Sequence, residues 1–234
     1  MTETAKQLTL ALFEVPRVDF ADYFLGANHE AAAAAESWAD DRGHWCLGLW
    51  GEPGVGKTHL LHAAVRRAHV NGKAAMYLPL REIAAGDPAL LEGLESVAVL
   101  AIDDCDVIVQ IPAWEEAMFV LYNRVAAAGG RLALAMRRAP ATTDFYLPDL
   151  KSRFTAGLNY NLIDLNDADK QSALCAIANR RGITLSPSVA NYLLSRLPRS
   201  MHALVEAVAI LDRASLSAAR HVTIPFVREV LGLS

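Results

Sequence analysis

Eight residues, Gly51-Glu52-Pro53-Gly54-Val55-Gly56-Lys57-Thr58, constrain this chain more than any other segment. They satisfy G-x-x-x-x-G-K-[ST] at every fixed position. They also stand between an apolar, strand-like run, Trp45–Trp50, and a helical stretch, Thr58–Val70, which is the setting the chemistry requires. Gly54 and Gly56 let backbone amides turn inward around phosphate oxygens, and the helix that follows offers the positive end of its dipole. Lys57 is placed to neutralise outer phosphates, and the Thr58 hydroxyl to join a Mg²⁺ shell. A chance glycine turn meets the spacing but not the strand–loop–helix setting.

Four further runs resemble the first: Ala74–Leu80, Val97–Asp103, Arg131–Met136 and Tyr160–Leu165. All are nearly continuous in apolar residues, the pattern of strands covered on both faces. Between them, Thr58–Val70 and Ala113–Ala128 read as helices. The second carries Met118, Leu121, Tyr122 and Val125 at helical spacing. Strands alternating with helices predict an α/β fold with a parallel five-stranded sheet sandwiched by helices. The third run ends in Asp103-Asp104, some 45 residues after the phosphate loop. A buried strand ending in two carboxylates puts the first, Asp103, near a metal and the second, Asp104, near an attacking water. Asp106, just beyond, reads as a solvated loop acid.

After Leu165 the pattern turns wholly helical: Asp167–Arg181, Ser186–Leu197, Ser200–Ala219 and a short Pro225–Leu231. Met201, Leu204, Val205, Val208 and Leu211 give the third of these one buried face. Ser186-Pro187 is a helix start, with a capping hydroxyl and a proline in the first turn. The chain thus divides into a tail (1–15), a sheet domain (16–165) and a small helical domain (166–234).

Composition narrows the partners. The net charge of −4 provides no broad positive field for nucleic acid. The pairs Arg66/Arg67, Arg137/Arg138 and Arg180/Arg181 read as solvated surface. Cys46, Cys105 and Cys175 are too few and too scattered for a disulfide framework or a zinc site. With no secretory leader and no apolar run near the ~20 residues that span a bilayer, a cytoplasmic protein without membrane partners is expected.

The phosphate loop, the Asp-Asp strand and the helical lid together resemble the AAA+ P-loop NTPases. More narrowly, the chain is similar to the DnaA family, both the replication initiator and its shorter regulatory inactivators of the Hda type. The residues that carry this are VDFADYFLGANHE near Val18, GKTHLLHAA after Gly56, WEEAMFVLYNRV at Trp114, LPDLKSRF at Leu147 and LDRASLSAARHVTIPFVREVL at the C-terminus. The resemblance spans nearly the whole chain. It implies bound ADP or ATP with Mg²⁺, Thr58 and Asp103 serving the metal. Tyr23, Leu25 and Gly26 of the DYFLG segment would lie near the base. The remaining nucleotide contacts would be Gly51, Pro53, Gly54, Val55, Gly56, Lys57, Thr58, His59, Asp103 and, from the lid, His202. It also implies that Arg153, in the DLxSRF segment, enters a neighbour's nucleotide site as an arginine finger, and that Asp104 is catalytic. Two positions depart from the family. His202 stands where the lid carries a sensor arginine, and Ala135-Met136-Arg137-Arg138 replaces a small polar or acidic sensor. Arginine is permanently charged and bidentate whereas histidine is mostly neutral at pH 7. Weak or no turnover by the chain itself is therefore expected.

Gln7-Leu8-Thr9-Leu10-Ala11-Leu12 alternates like an edge strand. It also resembles the peptide that replication proteins insert into the sliding clamp, with Gln7 bonding at the rim and Leu8, Leu10 and Leu12 filling the apolar pocket. The leading expectation is a clamp-associated negative regulator of replication initiation that promotes hydrolysis of ATP on DnaA. The alternatives are a DnaA-like initiator and a helicase-loader or clamp-loader type ATPase. No helix-turn-helix follows the lid, so strong direct DNA binding is not expected. Homo-oligomerisation is left open.

Overall fold

Val99-Leu-Ala-Ile-Asp103 and Arg131-Leu-Ala-Leu-Ala-Met136 are buried at every position, so both must sit inside a sheet covered on both faces. In the computed structural model, which describes residues 18–233, they are neighbours at its centre. The strands are β1 (Cys46–Trp50), β2 (Ala75–Pro79), β3 (Val99–Asp103), β4 (Arg131–Met136) and β5 (Leu158–Asn161). They form one five-stranded sheet in the order β2-β3-β4-β1-β5, every pair parallel. The predicted α/β fold is therefore the observed one.

Helices α1 (His29–Ala39), α2 (Lys57–Val70), α3 (Leu80–Ile83), α4 (Pro112–Ala127) and α5 (Pro148–Ala156) complete this unit. Successive strand residues face opposite sides, so each face has its own core. Leu100, Ile102, Leu132, Leu134 and Met136 pack with Trp114, Met118, Leu121 and Val125 of α4 and with Leu150 and Phe154 of α5. Val99, Ala101, Ala133 and Ala135, equally buried, turn to the other face, the side taken by Leu60, Leu61, Ala64, Val65 and Ala68 of α2. Small alanines on the strands let that central helix approach closely.

The edge strand differs from expectation. The run Tyr160–Leu165 was expected as a strand, but β5 occupies Leu158–Asn161, two residues earlier, and is half-exposed. The chain leaves the sheet after Leu162, whose amide donates to the Trp50 carbonyl at 2.7 Å. The backbone of Ile163 is instead taken by the Asn28 side chain, which accepts from its N–H (2.8 Å) and donates to its C=O (2.8 Å). An amide side chain therefore ends the ladder where composition alone would continue it.

Chain contacts divide the protein into two compact units, the second comprising Pro53–Val55 and Asp164–Ser234. Its helices are α6 (Asp167–Arg180), α7 (Pro187–Arg196), α8 (Met201–Ala218) and α9 (Ile224–Leu231). Each has a side-chain N-cap, from Asn166, Ser186, Ser200 and Thr223 respectively, worth about 1 kcal/mol apiece. Leu174, Leu193, Leu204, Val208, Leu211, Phe226 and Val227 fill the core they share. No helix among the described residues is long and apolar enough to cross a membrane.

Candidate functional site

The loop Gly51–Thr58 leaves the C-terminal end of β1 and enters α2, as its motif requires. Gly51, Gly54 and Gly56 all have positive φ, at 151°, 89° and 97°. Gly56 is bound to glycine twice over. Its backbone lies where side chains are strained, and a Cβ there would sit 2.5 Å from Cε2 of Tyr23. Tyr23 thus presses its ring against the base of the loop, beside His59 (centroids 5.5 Å apart). Its hydroxyl accepts from Asn28 Nδ2 at 3.2 Å, and burial pushes its pKa up to about 12. Leu25 is exposed nearby and Gly26 turns the chain at φ 48°.

Lys57 is buried at 9% exposure and donates through Nζ to the carbonyls of Gly51 (2.5 Å) and Glu52 (2.9 Å). Burial pulls its pKa below the ordinary 10.5, partly offset by Asp103, Asp106 and Asp104. A cation held in a poorly solvated loop is poised to gain from an anion.

Asp103, the last residue of β3, is 3% exposed. Its Oδ2 accepts from Thr58 Oγ1 (2.6 Å) and from the Tyr77 hydroxyl (2.9 Å), and its Oδ1 from the amide of Asp104 (2.8 Å). Tyr77 stands on β2, and its neighbour His62 makes an edge contact with it at 4.2 Å. Burial and the Asp103 charge raise the Tyr77 pKa, so it remains a donor. The donor set fits Mg²⁺: a hydroxyl and a carboxylate in contact are hard oxygens of the kind that ion prefers. Among the described residues no three His, Cys, Asp or Glu side chains gather as a metal site. An ion held by Thr58 and Asp103 would complete its shell with phosphate and water, as Mg²⁺ does.

Asp104 differs from its neighbour. Its backbone is left-handed (φ 55°), which swings the carboxylate toward α3. There Arg81 grips it with both arms, Nε to Oδ2 at 2.8 Å and Nη2 to Oδ1 at 3.0 Å. That pairing holds the carboxyl below its usual range. Asp106 is not the solvated acid its loop position suggested. It is half-buried, and its Oδ2 accepts from the Arg137 amide at 2.7 Å, tying this loop to the end of β4.

Arg153 lies in the last turn of α5. It is exposed, and its guanidinium sits 6.0 Å from the Phe119 ring centroid. Immediately after α5, a Cβ at Gly157 would stand 3.0 Å from Sγ of Cys46, the first residue of β1. The phosphate loop departs after Trp50, at the other end of that strand and roughly 13 Å away. The fold therefore gathers Gly56, Lys57, Thr58, Asp103 and Asp104 at one end of the sheet and ends the helix of Arg153 at the other. His202 is exposed in the first turn of α8. Gln7, Leu8, Leu10 and Leu12 lie outside the described residues. The reading from sequence missed Tyr77, Arg81 and Asn28. Tyr77 could have been noticed as the one polar side chain in an apolar strand, but nothing local marked the other two.

Comparison with known proteins agrees with this arrangement. The bacterial DnaA ATPase domain family matches residues 16–161, and the Hda lid domain matches residues 167–231. An uncharacterized protein of Haemophilus influenzae is 37% identical over 229 residues, 97% of this chain and 99% of its own length. Domain III of the Thermotoga maritima initiator DnaA superposes with a TM-score of 0.78 at 21% identity, covering 93% of this chain and 96% of that one. DnaA from Aquifex aeolicus bound to AMPPCP gives 0.71 at 22% identity, covering 86% and 65%. Those two likenesses speak for the fold; the sequence matches speak for the family. The chain belongs to the DnaA-related AAA+ family and, by its lid, to the Hda branch of DnaA-related replication regulators.

Proposed function

We propose that this protein holds adenine nucleotide as a conformational cofactor and, tethered to the sliding clamp, promotes hydrolysis of ATP bound to DnaA. The observation that carries this is Arg153: an exposed arginine on a helix that ends away from the chain's own phosphate loop, with no ion-pair partner among the described residues. An arginine so placed suits a neighbour's nucleotide, where it would stabilise charge growing on the γ-phosphate. Fingers supplied in trans are worth roughly 10³–10⁵ in rate.

The chain's own site supports retention of nucleotide over turnover. Lys57 and the loop amides would hold the phosphates, and Thr58 with Asp103 the Mg²⁺ ion. When bound, that ion would supply charge neutralisation between the outer phosphates. Tyr77 orients Asp103 through its hydroxyl. Asp104, the carboxylate able to orient water, is occupied by Arg81. Tyr23, packed on Gly56, would couple the base end of the nucleotide to the loop. Clamp attachment through Gln7, Leu8, Leu10 and Leu12 rests on the tail sequence.

The test is a reconstitution of the protein with clamp-loaded DNA and DnaA carrying labelled ATP. Wild type is expected to accelerate nucleotide loss. Arg153→Ala should abolish the acceleration, and removal of residues 1–12 should abolish it only where the clamp is required. Acceleration that survives Arg153→Ala would remove the trans-finger mechanism.

A further inference from the structure

Glu115, in the first turn of α4, is a fully buried carboxylate (0% exposed), and no lysine or arginine among the described residues pairs with it. A carboxylate taken out of water costs several kcal/mol unless donors replace the lost hydration. Here three backbone N–H groups do so: Gln110 to Oε1 at 2.8 Å, Tyr146 to Oε1 at 3.1 Å and Leu147 to Oε2 at 2.7 Å. The donors come from two loops far apart in sequence.

The first loop follows the phosphate site. Gln110 stands six residues beyond Asp104, with left-handed backbone (φ 65°). The short helical turn between them, Cys105–Ile108, is pinned by the bond from the Arg137 amide to Asp106. The second loop leads into α5. Leu147 is the N-cap of that helix and has no capping side chain of its own, so Glu115 takes its N–H from a neighbouring helix. Gln110 adds a second stitch, donating through Nε2 to the Asp144 carbonyl at 2.6 Å. One turn along α4 from Glu115, Phe119 lies against the Arg153 guanidinium. The same helix thus holds both the entry to α5 and the side chain near its exit.

We propose that Glu115 is a positioning residue that links the Asp103–Asp104 end of the phosphate site to α5, so that nucleotide occupancy sets the placement of Arg153. The inference rests on the reading of Arg153 as a trans finger. A displacement of about 1 Å at a reacting group costs on the order of 100-fold in rate, so a loose α5 would be felt in kcat.

The test uses the full chain in two assays, hydrogen exchange over residues 144–153 with and without ADP and Mg²⁺, and stimulation of ATP hydrolysis on DnaA. In wild type, ADP is expected to raise protection of that segment. Glu115→Ala is expected to erase the ADP-dependent difference and to lower maximal stimulation on the order of 100-fold. ADP affinity and half-saturating protein concentration should stay within about twofold. Glu115→Gln keeps the shape and the two Oε1 contacts but turns an amide N–H toward the Leu147 N–H at the entry to α5, so it is expected to reduce the ADP-dependent difference and to lower maximal stimulation by about fivefold or more. It also serves as the deciding variant if the alanine substitution unfolds the chain. An ADP-dependent difference unchanged in either variant, or ADP affinity falling in parallel with stimulation, would overturn the link. If Glu115→Ala erased the exchange difference while Arg153→Ala stimulated normally, the link would stand and the finger reading would fall.

Discussion

Gly48, in the middle of β1, offers a sharp test of how α5 is anchored. It is buried between Leu134 of β4 and Asn159 of β5. A Cβ added there would meet Asn159 Oδ1 at 2.0 Å and Cγ at 2.9 Å. Asn159 cannot move aside freely. Its Nδ2 donates to the carbonyls of Phe154 (3.0 Å), Thr155 (3.2 Å) and Gly157 (2.8 Å), closing the C-terminal end of α5. An amide nitrogen has two hydrogens, so these contacts count as about two bonds, worth roughly 1–3 kcal/mol together. Against this, replacing glycine by alanine in a strand gains roughly 0.5–1 kcal/mol of chain entropy. Gly48→Ala should therefore cost about 1–2 kcal/mol net and lower Tm by roughly 2–8 °C for a chain of this size. Asn159→Ala removes the obstruction, and in that background the sign should reverse, Gly48→Ala becoming neutral or slightly stabilising. Thermal and denaturant unfolding of the four proteins of the cycle measure this directly. Equal costs of Gly48→Ala in both backgrounds would refute the reasoning.

Two further outcomes follow from the phosphate site. Arg81→Ala releases the Asp104 carboxylate, so steady-state ATP turnover by the isolated chain should rise by about tenfold or more, a conservative share of what a positioned base supplies. Unchanged or lower turnover in a phosphate-release assay would show that Arg81 does not hold that group idle. For Lys57, burial lowers the pKa of the free protein, and bound phosphate favours the ammonium form and raises it. Nucleotide affinity is thus complete below the free-state pKa and lost as pH rises through it, beginning below the ordinary 10.5. Calorimetry across alkaline pH should show that loss together with proton uptake, and Lys57→Ala should remove both. A flat profile to pH 10.5 would contradict the assignment.

How legible each feature was depended on how local its cause is. The phosphate loop could be read because its geometry is decided within eight residues, three of them glycines at positive φ. The lid helices could be read because their caps and apolar faces lie on the helices themselves; the Ser186-Pro187 start was predicted and is observed. β3 and β4 announced themselves by unbroken apolar runs. The boundary of β5 did not, because Asn28, 135 positions away, takes the Ile163 backbone out of the ladder. Helix α5 likewise carries little signal of its own beyond the motif around Arg153, since Glu115 of another helix caps its entry and Asn159 of the edge strand closes its exit.

The carboxylates make the same division. From sequence, Asp103, Asp104, Asp106 and Glu115 are four acids, of which two sit at a strand end. Only the folded chain gives each its partner: Thr58 and Tyr77 to the first, Arg81 to the second, the Arg137 amide to the third and three loop amides to the last. Residue order by itself determined that this chain has a phosphate-binding loop, an α/β sheet and a helical lid, because backbone permissiveness and apolar periodicity act over a few neighbouring residues. Which acids remain available and which arginine is offered outward was decided by tertiary structure, because charge and hydrogen-bond pairing act through space between segments that sequence leaves far apart.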